Sequence, residues 1–233
     1  MTPSSPDRPT PGDAHVLASW HTNAAPWTDA VRERRIASRR LVTDRAVVEA
    51  VLARAPRTAL DLGCGEGWLS RALAERGVRV TGVDAVPALV EQARALGGGT
   101  FRVASYEAIA AGALDDVCVD VAVANFALIG GPAVEALVAH VPRLLAPGGA
   151  LVVQTLHPPT AGGDAPYVDG WRAGSWDGFG PAFSDPPPWY FRTIEGWVAL
   201  LDGASFRLRR LVEPVHPETG RPASLILVAD VAG

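Results

Sequence analysis

The sequence predicts an α/β protein built on a doubly wound, mostly parallel sheet with helices on both faces. Three observations lead to that class. Short apolar runs take turns with stretches of helical periodicity between Thr58 and Thr155, the pattern of βαβ units. A glycine-rich turn, Gly63-Cys64-Gly65-Glu66-Gly67, joins the first apolar run to the helical stretch after it. Two further strand-like runs close the chain, and a length of 233 residues suits one sizeable domain.

Each element has a local reason. The opening MTPSSPDRPTPGDA holds four prolines and no apolar core, so residues 1–14 are expected to be a disordered tip rather than a signal peptide or membrane anchor. Residues 15–233 are then expected as a single domain. Its N-terminal helices fall at 27–57, where Val31, Ile36, Leu41, Val47, Val48, Val51 and Leu52 recur at helical spacing and Thr43 or Asp44 can cap the second helix. The core covers 58–156. There the strand runs TALDLG, VRVTGVD, TFRVAS, VDVAVANF and ALVVQTL alternate with WLSRALAER, PALVEQARAL and VEALVAHVPRLL. Pro87 suits a first helical turn, and Pro147-Gly148-Gly149 is expected to stop a helix before the fifth strand.

From 157 to 191 the periodicity breaks. This insertion has seven prolines, yet it holds eight of the chain's sixteen aromatic residues, which suits an ordered cap or binding loop better than a linker. Across 192–233, Thr193 can cap a helix, and FRLRRLVEP and ASLILVADV read as two strands. They bring the sheet to seven strands, the last antiparallel.

Composition removes whole classes of chemistry. Lysine is absent, so all 21 basic residues are arginine, which excludes a Schiff-base lysine, pyridoxal-phosphate catalysis and a phosphate-binding GK[ST] loop. With 25 acidic residues the net charge is −4, which argues against a nucleic-acid or anionic-membrane surface. No run of 18 apolar residues occurs to span a bilayer. The two cysteines, Cys64 and Cys118, both read as sitting inside apolar strand-like runs, are too few for a disulfide framework or a four-thiolate zinc site, and a reducing cytoplasm fits them. No metal is expected. Abundant Ala, Arg, Gly and Pro without Lys matches the coding bias of a GC-rich bacterial genome.

The chemistry gathers at the glycine turn. A strand running into Gly63-x-Gly65-x-Gly67 and then a helix lets a ligand approach the backbone beside unpaired helix N–H groups. The next strand ends at Asp84, seventeen residues past Gly67, where a carboxylate can grip ribose hydroxyls. The spacing is G-x-G-x-G rather than G-x-G-x-x-G. Together with Asp61, an acid that would repel phosphate and suit a sulfonium or ammonium group, it points to a nucleoside without phosphates rather than a dinucleotide. The same glycines would also serve a plain tight turn, and Asp84 a plain helix cap.

At these residues the chain resembles the class I S-adenosylmethionine-dependent methyltransferases. LDLGCGEGWLSRAL is similar to the family's first motif, VTGVDAVPALVEQAR to its second-strand acid motif, DVAVANFALI to its fourth-strand motif and LLAPGGALVVQTLHP to its fifth. The likeness is strong over about residues 27–157, and the tail is similar to the end of many small-molecule members. It implies a Rossmann-like sheet and S-adenosyl-L-methionine as cofactor. By the resemblance, Gly63, Gly65 and Gly67 meet the methionyl part through backbone, Asp61 orients the loop, and Asp84 takes the ribose. Ala85 and Val86 flank the adenine, and Asn125 and Phe126 lie near the amino group and the transferred methyl. Where the family usually has an acid after the third strand, this chain has Ala104-Ser105-Tyr106, so Ser105 is left as the adenine acceptor beside Tyr106.

The implied reaction is methyl transfer to a small-molecule acceptor, at oxygen. His157, after the fifth strand, is the candidate general base, with its other reading a loop histidine hydrogen-bonded before Pro158; His21 is a second candidate. Trp171, Trp176, Trp189 and Tyr190 are candidates to wall a substrate pocket, or else to pack the insertion onto the sheet edge. Arg32, Arg35 and Arg39 share a helical face, and one of them or Arg40 can meet a carboxylate. Six arginines within residues 32–45 keep an RNA methyltransferase as an alternative. A non-catalytic S-adenosylmethionine-binding protein is another. A nicotinamide oxidoreductase is disfavoured by the turn spacing.

Overall fold

The computed structural model describes residues 12–232. Seven strands form one sheet: β1 (Thr58–Leu62), β2 (Arg79–Asp84), β3 (Thr100–Val103), β4 (Val119–Asn125), β5 (Leu145–Thr155), β8 (Phe206–Val212) and β9 (Leu225–Val231). Their order is β3-β2-β1-β4-β5-β9-β8. β9 runs antiparallel to both neighbours and the other pairings are parallel, as expected for a mostly parallel sheet with an antiparallel last strand. The order reverses between β1 and β4, and the crevice at such a switch, outside the strands' carboxyl ends, is where open α/β sheets bind ligands.

The strands are apolar on both faces because both faces are covered. Leu60, Leu62, Ala122, Ala124, Leu151 and Val153 point to one side, against α7 (Pro132–His140) and α9 (Ile194–Gly203), which contribute Leu137, Trp197 and Leu201. Ala59, Val121, Val123 and Val152 point to the other, against Val47 and Val51 of α3 (Asp44–Leu52) and Leu69 and Leu73 of α4 (Trp68–Ala74). Alternation with period two divides one run of apolar residues between two cores.

Three expectations need correction. The N-terminal region is helical well before residue 27: α1 spans Asp13–Thr22 and α2 spans Ala24–Arg32, followed by a π-helical turn Arg39–Thr43 leading into α3. Of the disordered tip expected at 1–14, residues 1–11 lie outside the described region, while Asp13 and Ala14 already belong to α1. Second, Pro147-Gly148-Gly149 does not end a helix. α7 stops at His140, a short 3₁₀ turn follows, and the Pro-Gly-Gly sits within β5, where the register with β4 jumps from Val119↔Leu145 to Val121↔Ala150. Third, neither cysteine is held in a strand: Cys64 is buried in the turn after β1, and Cys118 is exposed just before β4.

The insertion 157–191 holds a short helix, α8 (Pro158–Ala161), and a two-stranded antiparallel ribbon, β6 (Gly170–Arg172) with β7 (Trp189–Phe191). Between the ribbon strands the chain loops out over the N-terminal helices. Asn23 donates to Ser184 O at 2.7 Å and accepts from Ser184 N at 3.0 Å, Trp176 Nε1 donates to Ser184 O at 3.0 Å, and Ser19 donates to Asp185 O.

Candidate functional site

The turn after β1 is clipped to the neighbouring strand, since Gly63 N and Cys64 N both donate to Val83 O, at 2.8 and 3.0 Å. Gly63 needs to be glycine twice over: its φ is +72°, and a Cβ there would collide with Ala127 beyond the end of β4. Gly67, at φ +87°, starts α4 in the left-handed region.

Asp84 closes β2 beside this turn. Its Oδ2 accepts from Gly65 N and its Oδ1 from Val86 N, each at 2.9 Å, which aims the carboxylate across the turn. Burial raises its pKa, opposed by the N–H groups of Val86, Gly65 and Ala85. Asp61 is different. It is buried behind the turn, accepts from Ser70 Oγ at 2.7 Å, and so ties β1 to α4. Loss of solvent pushes its pKa up to about 7, with the nearby Asp84 adding to the rise.

A cavity of about 850 Å³, its open mouth included, lies over the carboxyl ends of β1, β2 and β4. Of the residues expected to hold a cofactor, Gly63, Gly65, Asp84, Ala85, Ser105, Tyr106, Asn125 and Phe126 line it, and so does Val86. Asp61 and Gly67 do not; they shape the turn from behind. Ser105 already spends its hydroxyl on capping α6 (Tyr106–Ala110), accepting from Ala108 N at 3.2 Å. The acid missing from its position is found two residues on, where Glu107 lines the cavity. Tyr106 donates to Ala127 O at 3.2 Å, and burial raises its phenol's pKa. Asn125 Oδ1 accepts from Gln154 Nε2 at 2.6 Å, and Phe126 sits at φ +52° with its N–H on Gln154 O.

The opposite wall was not foreseen. It is made by Asp13, Val16, Leu17 and Trp20 of α1 and by Trp27 of α2, together with Gly130 and Ala133 at the start of α7. The spacing Val16, Leu17, Trp20 is helical, but it lies directly after a proline-rich start that masks the pattern.

The substrate-pocket candidates lie one layer out. Trp176 packs edge-on against Trp20 with ring centroids 5.7 Å apart, so it backs a lining residue without being one. Trp171 and Tyr190 pack on each other at 5.5 Å and cover Gly131 from outside. Trp189 packs against Phe191. All four bury their faces in the insertion itself and in the outer side of the α1 and β4–α7 walls.

His157 is likewise outside the cavity lining. It is buried, with Nε2 2.7 Å from Glu213 Oε1 and Nδ1 3.1 Å from Thr160 Oγ1, at the start of α8. Both ring nitrogens are engaged, which suits an anchor between α8 and the segment after β8 rather than a base facing an acceptor. Among the arginines, Arg35 pairs with Glu33 at the surface. Arg32 reaches Gln92 and Glu66. Arg39 is buried between the rings of Trp68 and Trp27, 4.6 and 5.9 Å away, bonded through Nε to Asp44 and with one terminal nitrogen unpartnered.

Residues 60–153 match the family described as a methyltransferase domain. Ubiquinone biosynthesis O-methyltransferases of Xanthomonas oryzae and Idiomarina loihiensis are 38% identical over 107 and 101 residues, and each match covers 42% of this chain and 42% of the relative. The chain thus spans well under half the length of the curated relatives it matches. In fold it is similar to 1,6-didemethyltoxoflavin-N1-methyltransferase of Burkholderia thailandensis, solved with 1,6-didemethyltoxoflavin and S-adenosylhomocysteine, at TM-score 0.65 and 20% identity over 97% of this chain and 93% of that one. An S-adenosylmethionine-dependent methyltransferase of Mesorhizobium loti superposes at TM-score 0.59 and 24% identity, covering 79% and 96%. With the glycine turn, the second-strand acid and the sheet order in place, residues 60–153 match a methyltransferase domain, and the fold is that of the S-adenosylmethionine-dependent methyltransferases.

Proposed function

We propose that this chain transfers a methyl group from S-adenosylmethionine to a small-molecule acceptor, at oxygen. One observation carries the reading: Asp84 is anchored to the glycine turn through Gly65 N, at the edge of a cavity whose other walls are largely apolar. A nucleoside fits these residues. Each Asp84 oxygen keeps acceptor capacity beyond its one N–H bond, enough for two ribose hydroxyls. Ala85, Val86 and Leu89 offer apolar surface to an adenine, and Glu107 takes over the amino-group contact expected of Ser105. The acid-lined turn, which disfavours a pyrophosphate, suits a cationic sulfonium.

The bound cofactor supplies an electrophilic methyl that requires a nucleophile held in line with the sulfur. The chain's part is positioning, which can contribute on the order of 7–11 kcal/mol. Tyr106, Phe126 and Ala127 shape the cavity between the turn and the far wall, and no histidine lines it among the described residues. The acceptor's proton therefore passes to solvent, and His157 is left to anchoring. Oxygen is favoured by the identity to the ubiquinone biosynthesis O-methyltransferases. Acidic cavity walls, lacking any arginine among the described residues, weigh against an RNA substrate.

Incubating the purified chain with methyl-labelled cofactor and a bacterial extract tests the reading. Label should pass to the small-molecule fraction. Label in RNA, or calorimetric binding of S-adenosylhomocysteine with no transfer to any fraction, would replace it with the corresponding alternative.

A further inference from the structure

Like Asp84, a second carboxylate in the cavity wall has only main-chain partners. Asp13 Oδ1 accepts from Gly131 N at 2.8 Å and Oδ2 from Ala133 N at 2.9 Å. These N–H groups open α7, a helix of 9 residues, and Pro132 between them has none to offer. N–H groups at the start of a helix, facing a ligand cavity, are where an anionic group of a ligand would settle. Here the position is filled by the chain's own side chain, reaching from α1. The fit is close, since a Cβ on Gly130 would strike the Asp13 carboxylate.

The surroundings reinforce this. The other charged side chains lining the cavity among the described residues are Asp84 and Glu107, both acidic. A buried cation, Arg192, meets the same loop through its carbonyls, donating to Gly130 O at 2.8 Å and Gly131 O at 3.1 Å. Asp13 and Arg192 therefore both hold the Gly130–Gly131 wall, and of the two it is Asp13 that lines the cavity.

We propose that Asp13 is a specificity-determining residue: its carboxylate occupies the anion-binding position at the start of α7, and thereby excludes acceptors that carry a negative charge. The proposal deepens the methyltransferase reading and rests on it for the identity of the acceptor.

The test uses the full chain saturated with S-adenosylhomocysteine and three phenols alike in shape: 4-ethylphenol, tyramine and 4-hydroxyphenylacetate. Calorimetry should show the anion binding the wild type about tenfold or more weakly than the other two. In Asp13→Gly that gap should close or reverse. The variant should also lose thermal stability and regain it in formate, but not in chloride of equal ionic strength, because formate refills the vacated N–H groups. Asp13→Asn keeps the shape without the charge, so it should narrow the gap and ignore formate; it also serves if the glycine variant fails to fold. Equal binding of neutral and anionic phenols by the wild type overturns the proposal, as does a glycine variant indifferent to formate. If none of the phenols binds, the formate result decides alone. Failure to bind S-adenosylhomocysteine would remove the methyltransferase reading while leaving the formate result intact.

Discussion

Asp84 and Asp61 show how burial and partners give two acids, both set around one turn, different work. Asp84 faces the cavity and keeps acceptor capacity for a ligand, so Asp84→Ala should weaken S-adenosylhomocysteine binding by at least about tenfold, each hydrogen bond to a charged group being worth about 1.5–3 kcal/mol. Isothermal titration of the folded variant checks this, and an unchanged dissociation constant would remove Asp84 from the cofactor site. Asp61 faces inward and holds a proton up to about pH 7, where an unfolded chain releases it near 3.8. Its contribution to stability is therefore complete below about pH 4 and is lost as the pH rises towards 7. Urea unfolding of the wild type should show this decline between pH 5 and 7.5, and Asp61→Asn should flatten it. A decline of the same size in the variant would show that other groups cause it.

At the scale of elements, the insertion acts as a brace on the helices that cover the cavity. Trp176 meets Trp20, Phe179 and Phe183, and Phe179 stacks on Trp27, so the loop backs the two tryptophans that line the cavity. Trp176→Ala should accelerate hydrogen exchange in α1, α2 and residues 173–186 together and weaken S-adenosylhomocysteine binding, with α9 unaffected. Exchange confined to the loop would mean that the helices stand without it. His157 anchors the other end. His157→Ala leaves Glu213 and Thr160 without their partner and should cost about 1–3 kcal/mol of stability, with cofactor affinity held within about threefold. Full stability combined with lost turnover would instead return this histidine to the chemistry.

For the whole molecule, the cavity spans α1, the ends of three strands and the start of α7, so a ligand there links parts of the chain far apart in sequence. Binding to the folded state alone adds about 2.7 kcal/mol at a hundredfold excess over the dissociation constant, which is about 5–10 °C in melting temperature for a chain of this size. S-adenosylhomocysteine should produce such a shift in a thermal scan, and NAD should not. A comparable shift with NAD would favour a dinucleotide site.

The sheet and the cavity wall at the strand ends were legible along the chain because their physics is local. Period-two burial on two faces makes unbroken apolar runs, a left-handed turn calls for glycine at 63 and 67, and an acid at a strand end keeps a regular distance from the glycines before it. The opposite wall was not legible. Asp13 looked like the end of a proline-rich tip until a partner 118 residues away gave it a role, and His157 read equally as a base or as a hydrogen-bonded loop histidine until Glu213, 56 residues on, was found against its ring. The tryptophans of the insertion advertise burial equally well whether they wall a pocket or support its wall. Such roles depend on which surfaces meet across long loops, and periodicity, composition and motif spacing carry no record of that meeting.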